Sequence, residues 1–140
     1  VTTQNADLWA IQILDKIRPY VWEDKKPTAQ MLGRWQPWHD GHQKLFEEII
    51  KKTGQVNIQV RDVHGVGDNP LDYNSVKKNI ENALKNFKNR IKISLVPNIT
   101  NICYGRGVGY KIEEIVLPKE VQKISATKIR EKMRKEGKLK

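Results

Sequence analysis

The chain has 140 residues, enough for one domain with a real hydrophobic core, and a formal net charge of +10. Its hydrophobic residues make up 38% and fall in clusters, which excludes a disordered chain and fits a globular α/β domain. The single cysteine, Cys103, excludes an internal disulfide and fits a reducing, cytoplasmic compartment; no stretch has the apolar length of a membrane span, and no signal peptide is recognisable.

The chain opens on Val1 rather than Met and so reads as a fragment of something longer. Residues 1–27 read as an N-terminal helical extension. Trp9, Ile13 and Ile17, flanked by Ala6, Ala10 and Leu14, recur at helical spacing until Pro19, and a charged turn follows at residues 23–27. This extension is expected to pack on the core or on a second subunit, so a homodimer is one arrangement it allows, with Trp9 and Trp22 as packing groups. Ala29, Met31 and Leu32 form an apolar run that stops at Gly33. A polar loop containing Pro37 and Gly41 leads to a helical pattern from His42, with Leu45, Phe46, Ile49 and Ile50 on one face.

Residues 55–61 alternate apolar and polar, predicting a second strand with one buried face. Residues 62–70 are a loop by their glycines and their Asn-Pro step, and Asp72 or Asn74 is placed to cap the next helix. Tyr73, Val76, Ile80, Leu84 and Phe87 are the clearest amphipathic pattern in the chain. Residues 90–96 predict a third strand, closed by Pro97. Residues 98–109 are polar and then glycine-rich, and 110–117 form a short helix or a strand around Ile112, Ile115, Val116 and Leu117. Residues 125–136 are a last helix with Gly137 as its stop, and 138–140 a basic tail.

Strand, helix, strand, helix, strand implies right-handed crossovers and a central parallel sheet. Residues 28–137 are therefore expected to form an α/β domain, Rossmann-like, with three αβα layers. In such sheets ligands bind beyond the carboxyl ends of the strands, where strand order reverses. The first strand thus delivers the His39–His42 loop to that place.

Strand, tight loop and helix put backbone N–H groups and a helix dipole beside an anion. His39 and His42 lie in that loop, and imidazole offers an N–H donor whether neutral or charged. Two histidines across a turn are too few for a metal shell, so no metal ligand is expected among them. Farther along, Ser125 is a good N-cap, yet Lys128 stands where a capping box wants Glu or Gln. Lysine in a first turn opposes the helix dipole, which makes sense if an anion occupies that helix start.

Gly33-Arg34-Trp35-Gln36-Pro37-Trp38-His39-Asp40-Gly41-His42 resembles the signature of the HxGH nucleotidyltransferase superfamily. Ile124-Ser125-Ala126-Thr127-Lys128-Ile129-Arg130 resembles its second signature, Ile-Ser-x-Thr-x-x-Arg. The resemblance covers roughly residues 28–136 and implies transfer of a nucleoside monophosphate from a nucleoside triphosphate to a phosphate-bearing acceptor, with release of pyrophosphate. It implies catalytic roles for His39, His42, Lys128 and Arg130. It implies nucleotide contacts from Gly33, Arg34, Trp35, Gln36, Gly41, Ser125 and Thr127, and from Gly105 and Arg106 in the glycine-rich stretch. Many relatives carry an acidic residue beside that arginine, where this chain has Gly107.

Asp62, His64 and Asp68 lie in the loop where an acceptor would enter; Lys44 either reaches a phosphate or points to solvent. Cys103 is expected as a small buried group. Gln36 and the 119–123 segment depart from the glycerol-phosphate and choline-phosphate cytidylyltransferases, so ATP is expected over CTP, with Mg²⁺ accompanying the triphosphate. The acceptor is a small phosphorylated or phosphonylated metabolite. Cytidylyl transfer from CTP is the alternative. From Lys119 to Lys140 there are nine Lys/Arg against three Glu, which would attract polyanions nonspecifically. A basic nucleic-acid-binding module, or a nucleotide sensor without turnover, therefore stays as a reading of another class. Against specific nucleic-acid binding, aromatic and basic residues are not interleaved on any one segment.

Overall fold

The structure, a computed structural model, describes residues 3–107 and 109–139; Val1, Thr2, Val108 of the glycine-rich stretch and Lys140 of the basic tail lie outside the described residues. The elements in order are α1 (Thr3–Ile17), β1 (Ala29–Gly33), α2 (Asp40–Thr53), β2 (Val56–Arg61), α3 (Tyr73–Ala83), a 3-10 turn (Lys85–Arg90), β3 (Ile91–Val96), α4 (Lys119–Gln122) and α5 (Ala126–Lys135). The strands are parallel in the order β1-β2-β3, with Met31 opposite Ile58 and Ile58 opposite Ile93. The fold is α/β.

The period-two pattern decides which sheet face is covered. Val56, Ile58 and Val60 are almost fully buried, and against them pack Phe46, Ile49 and Ile50 of α2 and Val76 and Ile80 of α3. The other face carries Gln30, Asn57, Gln59 and Ser94. These pair across the strands, Gln30 with Gln59 and Ser94 with Asn57. Apart from Leu32 and Val96, a face of this kind supplies little apolar surface to bury, so the third layer expected from the alternation of elements is not built by the described residues. The order 1-2-3 also steps in one direction, and no reversal of strand order occurs among them. The His39 loop still sits at the carboxyl end of β1.

The amphipathic stripe from Tyr73 continues past the end of α3. Leu84 closes the helix, and Phe87, at non-helical φ/ψ inside the 3-10 turn, still reaches the core against Phe46. Asp72 caps α3, accepting from the Ser75 N–H at 2.8 Å. Residues 110–117 are neither helix nor strand. Ile115 packs against the core while Ile112 and Val116 stay exposed, and Lys111, Glu113 and Glu114 interrupt any single apolar face.

The N-terminal extension is fastened at the amino end of the sheet, far from the histidines. Arg90 clasps Asp15 with two bonds of 2.8 Å and donates to the Gly54 carbonyl, with the Tyr20 ring beneath its guanidinium. Fully buried Gln55 accepts from the Tyr20 hydroxyl and donates to the Glu23 carbonyl and the Thr28 hydroxyl. The inward face of α1 is Leu8 and Ile11. Trp9 does not pack on the core: it is 58% exposed, and Leu14 and Ile17 face outward with it, because the Asp15–Arg90 clasp sets the rotation of the helix. Trp22 is half-buried, with its N–H on Asp24 and Lys92 over its ring. Cys103, expected as buried, is exposed in the irregular segment after β3. No helix among the described residues is long and apolar enough to cross a membrane.

Candidate active site

His39 is the N-cap of α2, a place usually held by Ser, Thr, Asp or Asn. Its Nδ1 accepts from the N–H groups of Gly41 at 3.0 Å and His42 at 3.4 Å. His42, three residues on, returns the bond: its Nδ1 accepts from the His39 N–H at 3.2 Å. The two histidines therefore form a capping box between themselves, and their rings stack with centroids 3.6 Å apart. The helix consequently begins at Asp40, two residues before the apolar pattern starts.

This cap settles the tautomers. A nitrogen that accepts carries no proton, so each neutral ring bears its proton on Nε2. Burial pushes the His39 pKa below its ordinary value, with the Asp40 carboxylate pulling the other way. Burial, followed by the charge of His39, pushes His42 down to about 3. Near neutral pH the loop thus presents two neutral imidazoles, each with an Nε2–H donor, at the positive end of a helix dipole.

Two tryptophans bury His42. The Trp35 ring meets it edge-on at 4.8 Å, and Trp38 lies at 5.5 Å. Trp35 is itself held in the left-handed region at φ 54°, a costly conformation for a large side chain. Its indole N–H donates to the Gln59 carbonyl at 3.1 Å, and its ring lies over Gly33. A Cβ at Gly33 would stand 2.8 Å from that ring, and a Cβ at Gly41 would stand 2.8 Å from the His39 ring. Both glycines are required by close approach rather than by a turn. Trp35 and Gly33, expected to contact nucleotide, thus shape the floor beneath His42.

Gln36, also expected at the nucleotide, is buried and spent elsewhere. Its carboxamide donates to the Leu71 carbonyl and accepts from the Leu71 N–H, both at 2.9 Å, as a strand neighbour would. This pins the 62–72 loop to the histidine loop. Arg34 is exposed, with one Nη on the Asn69 carboxamide at 3.4 Å. Lys44 points to solvent and pairs with Glu47.

The second motif arrives from the far end of the chain. Ser125 caps α5, accepting from the Lys128 N–H at 3.5 Å, and Lys128 is exposed. Arg130 is buried. Its Nη1 donates to the Gln36 carbonyl at 2.6 Å, its Nε to Asp68 at 2.9 Å and its Nη2 to the Thr127 hydroxyl at 3.3 Å. The two motifs are therefore in direct contact through Arg130, whose guanidinium is occupied by protein. Asp68 also accepts from Arg134, one turn along α5, and these bonds hold its carboxyl below the usual range. The Val121 carbonyl of α4 lies over Gly41 and closes the other side of the loop.

Asp62 and His64 border a void of about 10 Å³, room for a water. Gly105 and Arg106 lie in the exposed segment, where the Arg106 carbonyl accepts from the Tyr110 hydroxyl; among the described residues no hydrogen bond joins them to the histidine loop. A cleft of about 530 Å³ opens beside His39 and Asp40, bounded by Trp38, Gln43, Asn79 and Met133, within the size range of small-molecule sites. Three participants escaped the sequence reading. Arg134 shares a helix face with Arg130 at four-residue spacing, which was a usable signal. Gln43, partner of the Trp38 indole at 3.2 Å, and Asn69, buried under the loop, carried none.

Comparison of the chain with known protein families and with curated proteins gives no match.

Proposed function

We propose that the chain is a nucleotidyltransferase that passes a nucleoside monophosphate, AMP in preference to CMP, from the triphosphate to a small phosphate- or phosphonate-bearing metabolite. The observation that carries this reading is the mutual capping of His39 and His42, which leaves two neutral Nε2–H donors side by side at the α2 N-terminus. An acceptor oxygen attacks the α-phosphorus in line, the new O–P bond forms as the bond to the β-phosphate oxygen breaks, and pyrophosphate leaves with the electron pair. Negative charge grows on the equatorial oxygens during this step. Fixed donors aimed there lower the barrier without a covalent intermediate.

Lys128 is exposed in the first turn of α5, and in this reading it neutralises the departing pyrophosphate. Arg130 has a different task in this reading: it ties the α5 start to the histidine loop. The Rossmann-like reading rests on the parallel strands and on the position of the loop at a strand's carboxyl end. Among the described residues no group of three or more His, Cys, Asp or Glu is placed to hold a metal. In this reading Mg²⁺ accompanies the triphosphate as its counter-ion, and no step is routed through it.

The test is pyrophosphate release with Mg²⁺ and each of ATP, CTP, GTP and UTP against a panel of phosphorylated and phosphonylated acceptors. ATP is expected to turn over and to raise the melting midpoint by mass action. His42→Ala should lower kcat at least about 100-fold, the scale for losing a transition-state donor. Lys128→Ala should raise the apparent KM for triphosphate as well as lower kcat. A His42→Ala loss under about threefold would remove the assigned role. Steep, salt-dependent oligonucleotide binding retained in a His39→Ala/His42→Ala double variant, with no pyrophosphate release, would replace the reading by a nucleic-acid module.

A further inference from the structure

We infer that Asp68 is a built-in competitor for a phosphate group at the α5 arginines, so that such a group reaches them only by displacing its carboxylate. The inference rests on the phosphate-handling reading above and adds a residue that governs how tightly the site binds.

One carboxylate bridges two guanidinium groups: Oδ2 takes the Arg130 Nε–H and Oδ1 takes Arg134. Carboxylate and phosphoryl oxygens are interchangeable partners for a guanidinium fork, so Asp68 occupies a place where a phosphate would sit. The bridge is graded in exposure. The Arg130 side chain is 5% exposed and closed off on its inner side by Gln36 and Thr127, whereas those of Asp68 and Arg134 are 44% and 37% exposed. An incoming anion meets Asp68 and Arg134 first.

The segment that carries Asp68 is anchored at its base and closed on itself at its tip, where the Gly65 N–H donates to the Asn69 carbonyl at 3.1 Å, so the exposed Asp68 side chain is the part free to turn away. Its base is fixed by the Gln36–Leu71 pair and by the Asp62 N–H on the Val96 carbonyl. Its tip contains Gly65 and Gly67, both at positive φ, and Gly65 has open space around its Cβ position. A phosphate group reaches these arginines only after the carboxylate has left, so Asp68 lowers the apparent affinity of every such anion by the same factor. It also keeps Arg130 compensated when no ligand is present. The lowered carboxyl pKa of Asp68 is consistent with this ion-paired resting state.

The test is equilibrium calorimetry on the full chain without nucleotide, using inorganic pyrophosphate and inorganic orthophosphate as probes. Asp68→Asn should bind pyrophosphate at least about fivefold more tightly, the low end of measured site couplings. Orthophosphate should gain by about the same factor, because both anions displace the same carboxylate. Asp68→Glu, which keeps the charge, should keep the weaker wild-type binding.

In the wild-type chain, a carbon-detected NMR titration of the Asp68 carboxyl should move up towards the ordinary aspartate value at saturating pyrophosphate. Equal or weaker pyrophosphate binding by Asp68→Asn, an Asp68 titration that ignores the anion, or no binding of either anion to either chain would overturn the inference. These measurements are independent of turnover. Tightened binding in Asp68→Asn without any pyrophosphate release would support the inference and sink the transferase reading; turnover with an unresponsive Asp68 would do the reverse.

Discussion

His42→Gln isolates the energetic consequence of the histidine capping box. Gln is a natural residue at this capping-box position, and its carbonyl oxygen keeps an acceptor for the His39 N–H. It does not titrate. In the wild-type chain, folded His42 stays neutral down to about pH 3, while the unfolded chain takes up a proton near 6.5. Between those values the unfolded state binds more protons, so stability falls as pH falls through 6.5 and the loss levels off below about 3. The slope is about 1.4 kcal/mol per pH unit, or roughly 2.7 kcal/mol between pH 6.5 and about 4.5. The ring is only part-buried, so screening trims the expectation to about 1–3 kcal/mol.

Urea unfolding of both chains at about pH 7.5, 6.5, 5.5 and 4.5 measures this. His39 and the carboxylates titrate in both chains and largely cancel. The wild type should lose about 1–3 kcal/mol relative to His42→Gln across that range. Parallel stability curves, within about 0.5 kcal/mol, would refute the buried neutral imidazole. An NMR titration placing His42 near 6.5 would refute it equally.

Two further outcomes follow from the same loop. Gly41→Ala should push the His39 ring out of its cap and cost about 1–2 kcal/mol in thermal or urea unfolding, because the inserted Cβ meets that ring at 2.8 Å; a neutral substitution would mean that the ring has room to move. Gln36→Ala should cost about 1–3 kcal/mol by stranding the Leu71 N–H and carbonyl. Faster hydrogen exchange confined to residues near Leu71 should accompany that loss, and uniform exchange across the chain would argue against the pinning role.

The elements that rest on local periodicity were legible. The stripe of Val76, Ile80, Leu84 and Phe87 is buried as its spacing requires, and Val56, Ile58 and Val60 lie on one face. Ser125 caps α5, and the helix stops before Gly137. The start of α2 was read two residues late because a histidine N-cap does not look like one by residue type. Cys103 and residues 110–117 depart from expectation, and Trp9 stays off the core, for a related reason: apolar character says that a residue is able to be buried, not that a neighbour within the chain arrives to cover it.

The sequence by itself determined the parallel α/β arrangement and the histidine loop at a strand's end, since both follow from repeats of two and of three to four residues and from capping chemistry within one turn. Only the tertiary structure decided which partners the polar side chains meet within the chain. Gln36 meets Leu71 across 35 residues and Arg130 meets Gln36 across 94, and no local pattern encodes either bond. Burying the core brings these segments together, and each buried donor and acceptor must then find a partner among whatever groups arrive beside it. That is why Gln36, expected to meet a ligand, braces a loop, and why Arg130, expected to grip phosphate, is held by Asp68.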